Sequence, residues 1–350
     1  MKQHQTINRV LIISIMVLLI CAGCSQDKKQ PVVKNGTIDL SKWRFDTDGK
    51  VRLTGDWEFY WQQLYTPVDF QGSHPNRKVS TIKLPGLWQE SQIDGHLLLP
   101  HGYATYRLVA KITPDASPKL LVIRSLLSVC KVWVNGKLIS SSGVLGKDKQ
   151  AETPVQPLLM SNFTVAGDSL EIIIQHSNFH NVQGGLNAPI ELGSVPTIRR
   201  LIRTKWAITA TLAGMFLFVG IFHLILYFLY RPQTANLYFG LFCLIWAVGS
   251  VFGDGGGSLA PTLFPGLPWR LSIDLTLISY GLQPLLIILF YHALFPRYKS
   301  RLVERFYLVL GAIFVIYLLL TPPNAYGAVV RLYIQLTFGV ILYLLINLTV

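Results

Sequence analysis

The run Ala207-Ile-Thr-Ala-Thr-Leu-Ala-Gly-Met-Phe-Leu-Phe-Val-Gly-Ile-Phe-His-Leu-Ile-Leu-Tyr-Phe-Leu-Tyr230 contains no Asp, Glu, Lys or Arg. As an α-helix rising about 1.5 Å per residue it reaches roughly 36 Å, enough to cross a hydrocarbon core of about 30 Å with some tilt. Backbone polar groups must be satisfied within each segment in lipid, so a spanning run of this kind is a helix. Working outward along the chain, further spans are expected at about 236–253, 271–295, 306–321 and 327–350. They are separated by Arg231-Pro-Gln-Thr, by a loop from Asp254-Gly-Gly-Gly to Arg270, by Pro296-Arg-Tyr-Lys-Ser-Arg301 and by Pro322-Pro-Asn-Ala-Tyr326. Residues 206–350 therefore read as an α-helical transmembrane domain of five spans.

The remainder of the chain has another solvent. Of its 350 residues, 51% are hydrophobic and 14% charged, but from Ser25 to Lys205 there are 22 Lys/Arg and 15 Asp/Glu, against 7 and 3 from Trp206 onward. Such a shift marks a domain boundary. The net charge of +13 is scattered singly through strand-like segments and membrane flanks, without a basic helix or nucleic-acid motif, which excludes nucleic acid as partner and favours membrane lipid. With the N-terminal part outside, Arg231, Arg297, Lys299, Arg301 and Arg305 fall on the inner side, as the positive-inside rule asks. Arg199, Arg200, Arg203 and Lys205 stand on the disfavoured side, but long domains translocate largely regardless of charge. The expected location is the plasma membrane, multi-pass, with the N-terminal domain extracellular.

Residues 1–24 have a short basic start (Lys2, Arg9), an apolar run from Val10 to Ile20 and Ala22-Gly23 before Cys24, the anatomy of an export signal. Ala-Gly-Cys-Ser followed by polar residues also resembles a bacterial lipobox, which would make Cys24 a lipidation site; Cys21 stands where Leu is usual. Residues 25–40 read as a linker. Cys130 is the lone cysteine of the exported domain, so no disulfide is expected within it.

Residues 41–196 carry strand-like runs between turn signals: Val51-Arg-Leu-Thr, Trp57-Glu-Phe-Tyr-Trp61, Tyr106 to Ile112, Leu120 to Arg124, Lys131-Val-Trp-Val134, Lys137-Leu-Ile139 and Leu170 to Ile174. Asn135-Gly136 between two of them predicts a type I′ hairpin, since both central residues need positive φ. Period-two alternation puts Trp57, Phe59 and Trp61 on the core face and Glu58 and Tyr60 on the other. An all-β sandwich follows.

Gly55-Asp-Trp-Glu-Phe-Tyr-Trp61, Leu84-Pro-Gly-Leu-Trp88, Gly102-Tyr-Ala-Thr-Tyr-Arg107, Val132-Trp-Val-Asn-Gly-Lys137 and Ser177-Asn-Phe-His180 with Gly184-Gly185 together resemble the extracellular jelly-roll module of bacterial 7TMR-DISM receptors, those with diverse intracellular signalling modules. Gly214 to Arg231 followed by Asn236-Leu-Tyr-Phe-Gly-Leu-Phe-Cys243 is similar to the first two helices of that family's seven-helix domain. The resemblance implies a galactose-binding-like jelly roll ahead of a transmembrane bundle, and a surface receptor sensing an extracellular small molecule or carbohydrate. The family continues to seven helices and a cytoplasmic effector such as a kinase, cyclase or phosphatase, whereas this sequence stops within its fifth span, as a C-terminally truncated relative would. The alternative reading is an anchored carbohydrate-binding protein without signalling.

Exposed aromatics beside amides and Arg suit sugars, because rings stack on C–H surfaces while polar groups take hydroxyls. Trp88, Tyr103, Arg107, Trp133, Asn178 and His180 are the ligand-binding candidates on that ground. No pair of carboxylates has the arrangement a glycosidase needs, and His101, His176 and His180 fit no metal-ligand spacing. No catalytic residue, metal or cofactor is therefore expected, and a homodimer is left open. Intramembrane charges are costly and tend to pair, so Asp274 and Arg331, at similar depth in the third and fifth spans, are expected to form a salt bridge. His223 and His292, near the inner end, read as a polar contact, a proton-sensing pair or interfacial residues, with the last preferred.

Overall fold

The computed structural model describes residues 29–72, 79–124, 129–155, 158–253, 259–264 and 266–349. The expected export signal and Cys24 lie outside these residues.

The N-terminal part is a sandwich of two antiparallel-dominated sheets. Its strands are β1 (Thr37–Leu40), β2 (Val51–Arg52), β3 (Gly55–Trp61), β4 (Ser80–Leu84), β5 (Gly86–Leu87), β6 (Gln92–Ile93), β7 (His96–Leu97), β8 (Gly102–Ile112), β9 (Asp115–Arg124), β10 (Val129–Val134), β11 (Lys137–Ser142), β12 (Leu158–Val165), β13 (Ser169–Asn178), β14 (Gly185–Leu186) and β15 (Glu191–Ser194). The larger sheet runs β11-β10-β13-β8-β3-β4, with β1 added in parallel along the far half of β8. The smaller runs β12-β9-β15-β2. β1 falls in the stretch that reads as linker from sequence. In it Ile38 and Leu40 alternate into the core and are buried, with Val33 buried ahead of the strand, although too few residues are involved to give a visible period.

Between the sheets, the alternating apolar residues of each strand meet. Trp57 and Phe59 are fully buried and Trp61 packs against the same core, as the alternation predicts. Ala104, Tyr106, Leu108 and Ala110 face them from β8, and Ile172 and Ile174 from β13. Asn135 and Gly136 have φ of 46° and 80°, the positive values that a type I′ turn requires, and they join β10 to β11.

The helices are α1 (Val195–Leu229), α2 (Thr234–Phe252), a short α3 (Ala260–Leu263), α4 (Trp269–Leu294), α5 (Arg301–Leu320) and α6 (Tyr326–Thr349). Five of them are long and apolar enough to cross a membrane. α1 begins eleven residues before the expected Trp206: Ser194 ends a strand and Val195 starts the helix, with proline in the first turn. Proline suits that position because its missing N–H would be unpaired there. The segment that reads as a charged junction from sequence is thus the first three turns of a 35-residue helix.

α1 and α2 approach closely at Gly220 and Gly240, where a Cβ on either glycine would stand 3.1 or 3.0 Å from the carbonyl oxygen of the other. Small residues at a crossing let helices gain dispersion contact in lipid, where apolar burial alone gives no advantage. α5 and α6 are joined by Phe314 and Tyr333, whose rings stack with centroids 4.0 Å apart. Phe218, Phe228, Leu302, Leu320 and Phe338 point outward and are exposed, as a lipid-facing surface should be.

Candidate functional site

The six residues singled out from sequence do not converge on one surface. Trp88 is fully buried, donates its indole N–H to Tyr106 Oη at 2.5 Å and meets the Trp61 ring edge-on. Arg107 lies on the outer face of the larger sheet between Glu171 (2.7 Å) and Glu58 (3.0 Å), with the Phe70 ring 4.8 Å from its guanidinium carbon. Burial works against its charge, but these two carboxylates outweigh it and raise its pKa further. Trp133 and Tyr103 are half-buried on the same outer face, both across the sheet from β13. His180 sits in the loop after β13, its Nε2 3.2 Å from the Lys149 carbonyl.

Asn178 is fully buried and has a different task. Its side-chain nitrogen faces the carbonyls of Pro100 (2.7 Å), Asn181 (3.1 Å) and Gln183 (3.1 Å). The turn at 178–184 is therefore folded around one amide. Trp88 N–H donates to the Gly184 carbonyl at 2.9 Å, and Gly184 N–H donates to Gln89 Oε1 at 3.3 Å. A Cβ on Gly184 would collide with the Pro100 carbonyl oxygen at 2.2 Å. The sequence motifs around Trp88, Asn178 and Gly184 thus build a loop rather than touch a ligand.

That loop forms one wall of a cavity of about 680 Å³ between sandwich and helices. Gln89, Asn181, Val182 and Gln183 line the sandwich side; Ile273 and Leu277 of α4 and Tyr326, Gly327, Val330, Arg331 and Ile334 of α6 line the helix side. At the edge the walls touch, since a Cβ on Gly327 would stand 3.1 Å from Val182 Cγ1. The volume suits a small molecule, and its few polar groups above an apolar floor are the usual make-up of such sites. Tyr326, Gln89 and Gln183 escaped the sequence reading; the only signal was their place beside motifs that stood out for other reasons.

A second contact ties sandwich to bundle. Ile198 and Ile202, one turn apart in α1, are buried with Leu120 and Val122, which β9 presents on the outer face of the smaller sheet. Beside them Glu191 takes both Lys50 and Arg124, the latter at 2.7 Å. Burial would raise its pKa, but these two cations prevail and lower it.

The expected Asp274–Arg331 bridge is not formed. Asp274 is held by its own helical neighbour Arg270 (3.5 Å) and by Tyr326 Oη (2.7 Å), because Arg270 lies one turn away on the same face. Arg331 is exposed in the cavity and makes no hydrogen bond or ion pair with another described residue. His292 also departs from expectation: it is buried between Glu304 (3.0 Å) and Tyr343 Oη (2.8 Å), joining α4, α5 and α6 at the end remote from the sandwich. His223 meets Asn236 at 3.0 Å across α1 and α2. Among the described residues no group of three or more His, Cys, Asp or Glu is placed to hold a metal.

These features define a membrane protein in which a β-sandwich is built directly onto a helical membrane domain. Residues 205–350 match the family described as 7TM diverse intracellular signalling. No curated protein matches the chain. Among solved structures, the sandwich is similar to part of a GH2 β-galacturonidase from Eisenbergiella tayi bound to galacturonate (13% identity, TM-score 0.28, 41% of this chain and 24% of the enzyme). It is also similar to part of the β-glucuronidase of Faecalibacterium prausnitzii (15%, TM-score 0.30, 41% and 31%) and of that from Ruminococcus gnavus in complex with D-glucuronic acid (13%, TM-score 0.32, 41% and 29%). The chain spans less than a third of each enzyme's length.

Proposed function

We propose that this chain is the sensory and membrane part of a cell-surface receptor, with the sandwich outside the plasma membrane and a small molecule bound in the cavity between sandwich and helices. The supporting observation is that this cavity has one wall from each part. A ligand filling it touches the β13–β14 loop and α6 together, so its affinity depends on how the two are arranged. A ligand shifts a conformational equilibrium only by such a difference in affinity between states. The helix that leaves β15 without a linker, fixed by Ile198 and Ile202, carries a displacement of the sandwich into the bundle. Glu58 and Glu171, two carboxylates of the larger sheet, are both engaged by Arg107, which suits a structural role better than acid–base chemistry.

The test is to screen neutral and acidic monosaccharides and small carboxylic acids for a raised melting point of the whole chain in lipid nanodiscs. Any stabilising compound is then tested for a change in distance between spin labels at Gln233 and Ser300, at the remote ends of α2 and α5. The expected result is that compounds which stabilise the protein also shift this distance. Stabilisation with an unchanged distance would overturn the receptor reading in favour of an anchored binding protein without signalling.

A further inference from the structure

The cavity carries more information than its size. Its floor is apolar: Ile273, Leu277, Val330 and Ile334 are side chains of membrane helices. Into it Arg331 brings a guanidinium from the second turn of α6, in a helix that holds no other charged residue. Asp274, on the neighbouring α4, is already engaged by Arg270 and Tyr326. Gln183, exposed on the opposite wall, likewise has no side-chain hydrogen bond to another described residue, while the acceptor oxygen of Gln89 is occupied by Gly184 N–H. Arg331, Gln183 and the amide nitrogen of Gln89, which has no partner among the described residues, thus put N–H donors on both walls of the cavity, with the Gln183 side-chain oxygen as an acceptor beside them.

An exposed arginine without a carboxylate partner among the described residues is open to an anion, and its planar fork matches a carboxylate or phosphate with two parallel hydrogen bonds. We propose that the cavity binds an amphipathic oxyanion, with the carboxylate or phosphate on Arg331, its remaining oxygens within reach of the glutamine amides, and its apolar body against Ile273, Leu277, Val330 and Ile334. This rests on the cavity being the binding site named above. The oxyanion has two sources, a diffusible amphiphilic acid or the headgroup of an anionic lipid of the surrounding bilayer, and the chemistry that recognises it is the same.

The experiment is photolabelling of the whole chain in phosphatidylcholine nanodiscs with a diazirine-bearing fatty acid, followed by peptide mapping. Labelling is expected to concentrate on residues 323–334 and to be competed by decanoate and dodecyl phosphate but not by dodecanol. Arg331→Gln should reduce it about tenfold or more, the cost of losing a charged hydrogen-bonded pair, while Arg331→Lys keeps part of it. Because Arg331 is exposed and makes no hydrogen bond or ion pair with another described residue, both variants should keep the native melting point. Repeating the labelling in discs containing phosphatidylglycerol separates the sources: loss of labelling assigns the site to the lipid headgroup, and unchanged labelling assigns it to a diffusible acid. Labelling spread evenly over the helices, or equal in Arg331→Gln, or competed equally by dodecanol, would overturn the proposal. None of these outcomes bears on whether binding moves the helices, which the spin-label distance reads separately.

Discussion

Tyr326 Oη lies 2.7 Å from Asp274 Oδ1 and 2.8 Å from the Leu318 carbonyl oxygen, so the first residue of α6 stands between α4 and α5 with one hydroxyl proton for two acceptors, of which the carboxylate is the stronger. The hydroxyl supplies a direct donor to a buried carboxylate whose only other charged partner among the described residues is Arg270 at 3.5 Å.

Tyr326→Phe is therefore expected to destabilise the chain by about 1–3 kcal/mol, the cost of leaving a buried acceptor short of its donor. Arg331→Gln should leave stability unchanged. Thermal unfolding in nanodiscs checks both. The opposite ranking would restore an Asp274–Arg331 pair.

Ile198 is 1% exposed and sits between α1 and the smaller sheet with Leu120 and Val122. Ile198→Ala should cost about 2–5 kcal/mol, as large-to-small changes in packed sites do. Limited proteolysis between sandwich and α1 should quicken in the same variant, since only Ile202 and the partly buried Val195 and Trp206 then hold the helix to the sheet. Unaltered cleavage would show that this contact does not secure the junction.

His176 is fully buried with Nδ1 3.1 Å from Cys130 Sγ and Nε2 without a hydrogen-bond partner among the described residues. Burial pushes its pKa down from 6.5 to about 3. Between those values the unfolded chain binds the extra proton, so stability is fully present above about pH 6.5 and is lost as pH falls toward 3. The upper bound of that loss is on the order of 5 kcal/mol. Chemical denaturation followed by tryptophan fluorescence at several pH values should show this slope, and His176→Gln should flatten it.

Asn178→Asp keeps the size of the side chain but replaces the nitrogen that faces Pro100, Asn181 and Gln183 with a second acceptor. It should destabilise the sandwich by about 1–3 kcal/mol or more and weaken any ligand of the cavity, since the loop it shapes is one wall. Hydrogen exchange of residues 179–184 measures the loop directly. Native protection in the variant would mean that the turn is held by other bonds.

Much of the architecture could be read before the structure because it depends on period and length. The spans follow from apolar runs, the β10–β11 hairpin from Asn135-Gly136, and the core face of β3 from the alternation of Trp57, Phe59 and Trp61. The start of α1 was hidden because Arg199, Arg200, Arg203 and Lys205 look like a polar connector; only Ile198 and Ile202, four residues apart, signal a helix packed on something. The cavity was less legible still. Its walls come from residues far apart in the chain, and Trp88 and Asn178, chosen for exposed chemistry, are buried supports of the loop beside it. Similar depth in two spans suggested Asp274 with Arg331, but a neighbour one turn away on the same helix, Arg270, reaches the carboxylate first. His292 was placed at an interface by its position near a span's end, where Glu304 and Tyr343 instead enclose it.

The absence of a linker between β15 and α1 has a mechanical corollary. A flexible tether would absorb an added residue, but a continuous helix cannot. One residue inserted between Lys205 and Trp206 would turn the whole sandwich by about 100° about the α1 axis and lift it by about 1.5 Å, pulling Val182 away from Gly327. Sandwich and bundle are thus set in phase like two gears on one shaft, and the number of residues between Ile202 and Gly220 is the setting.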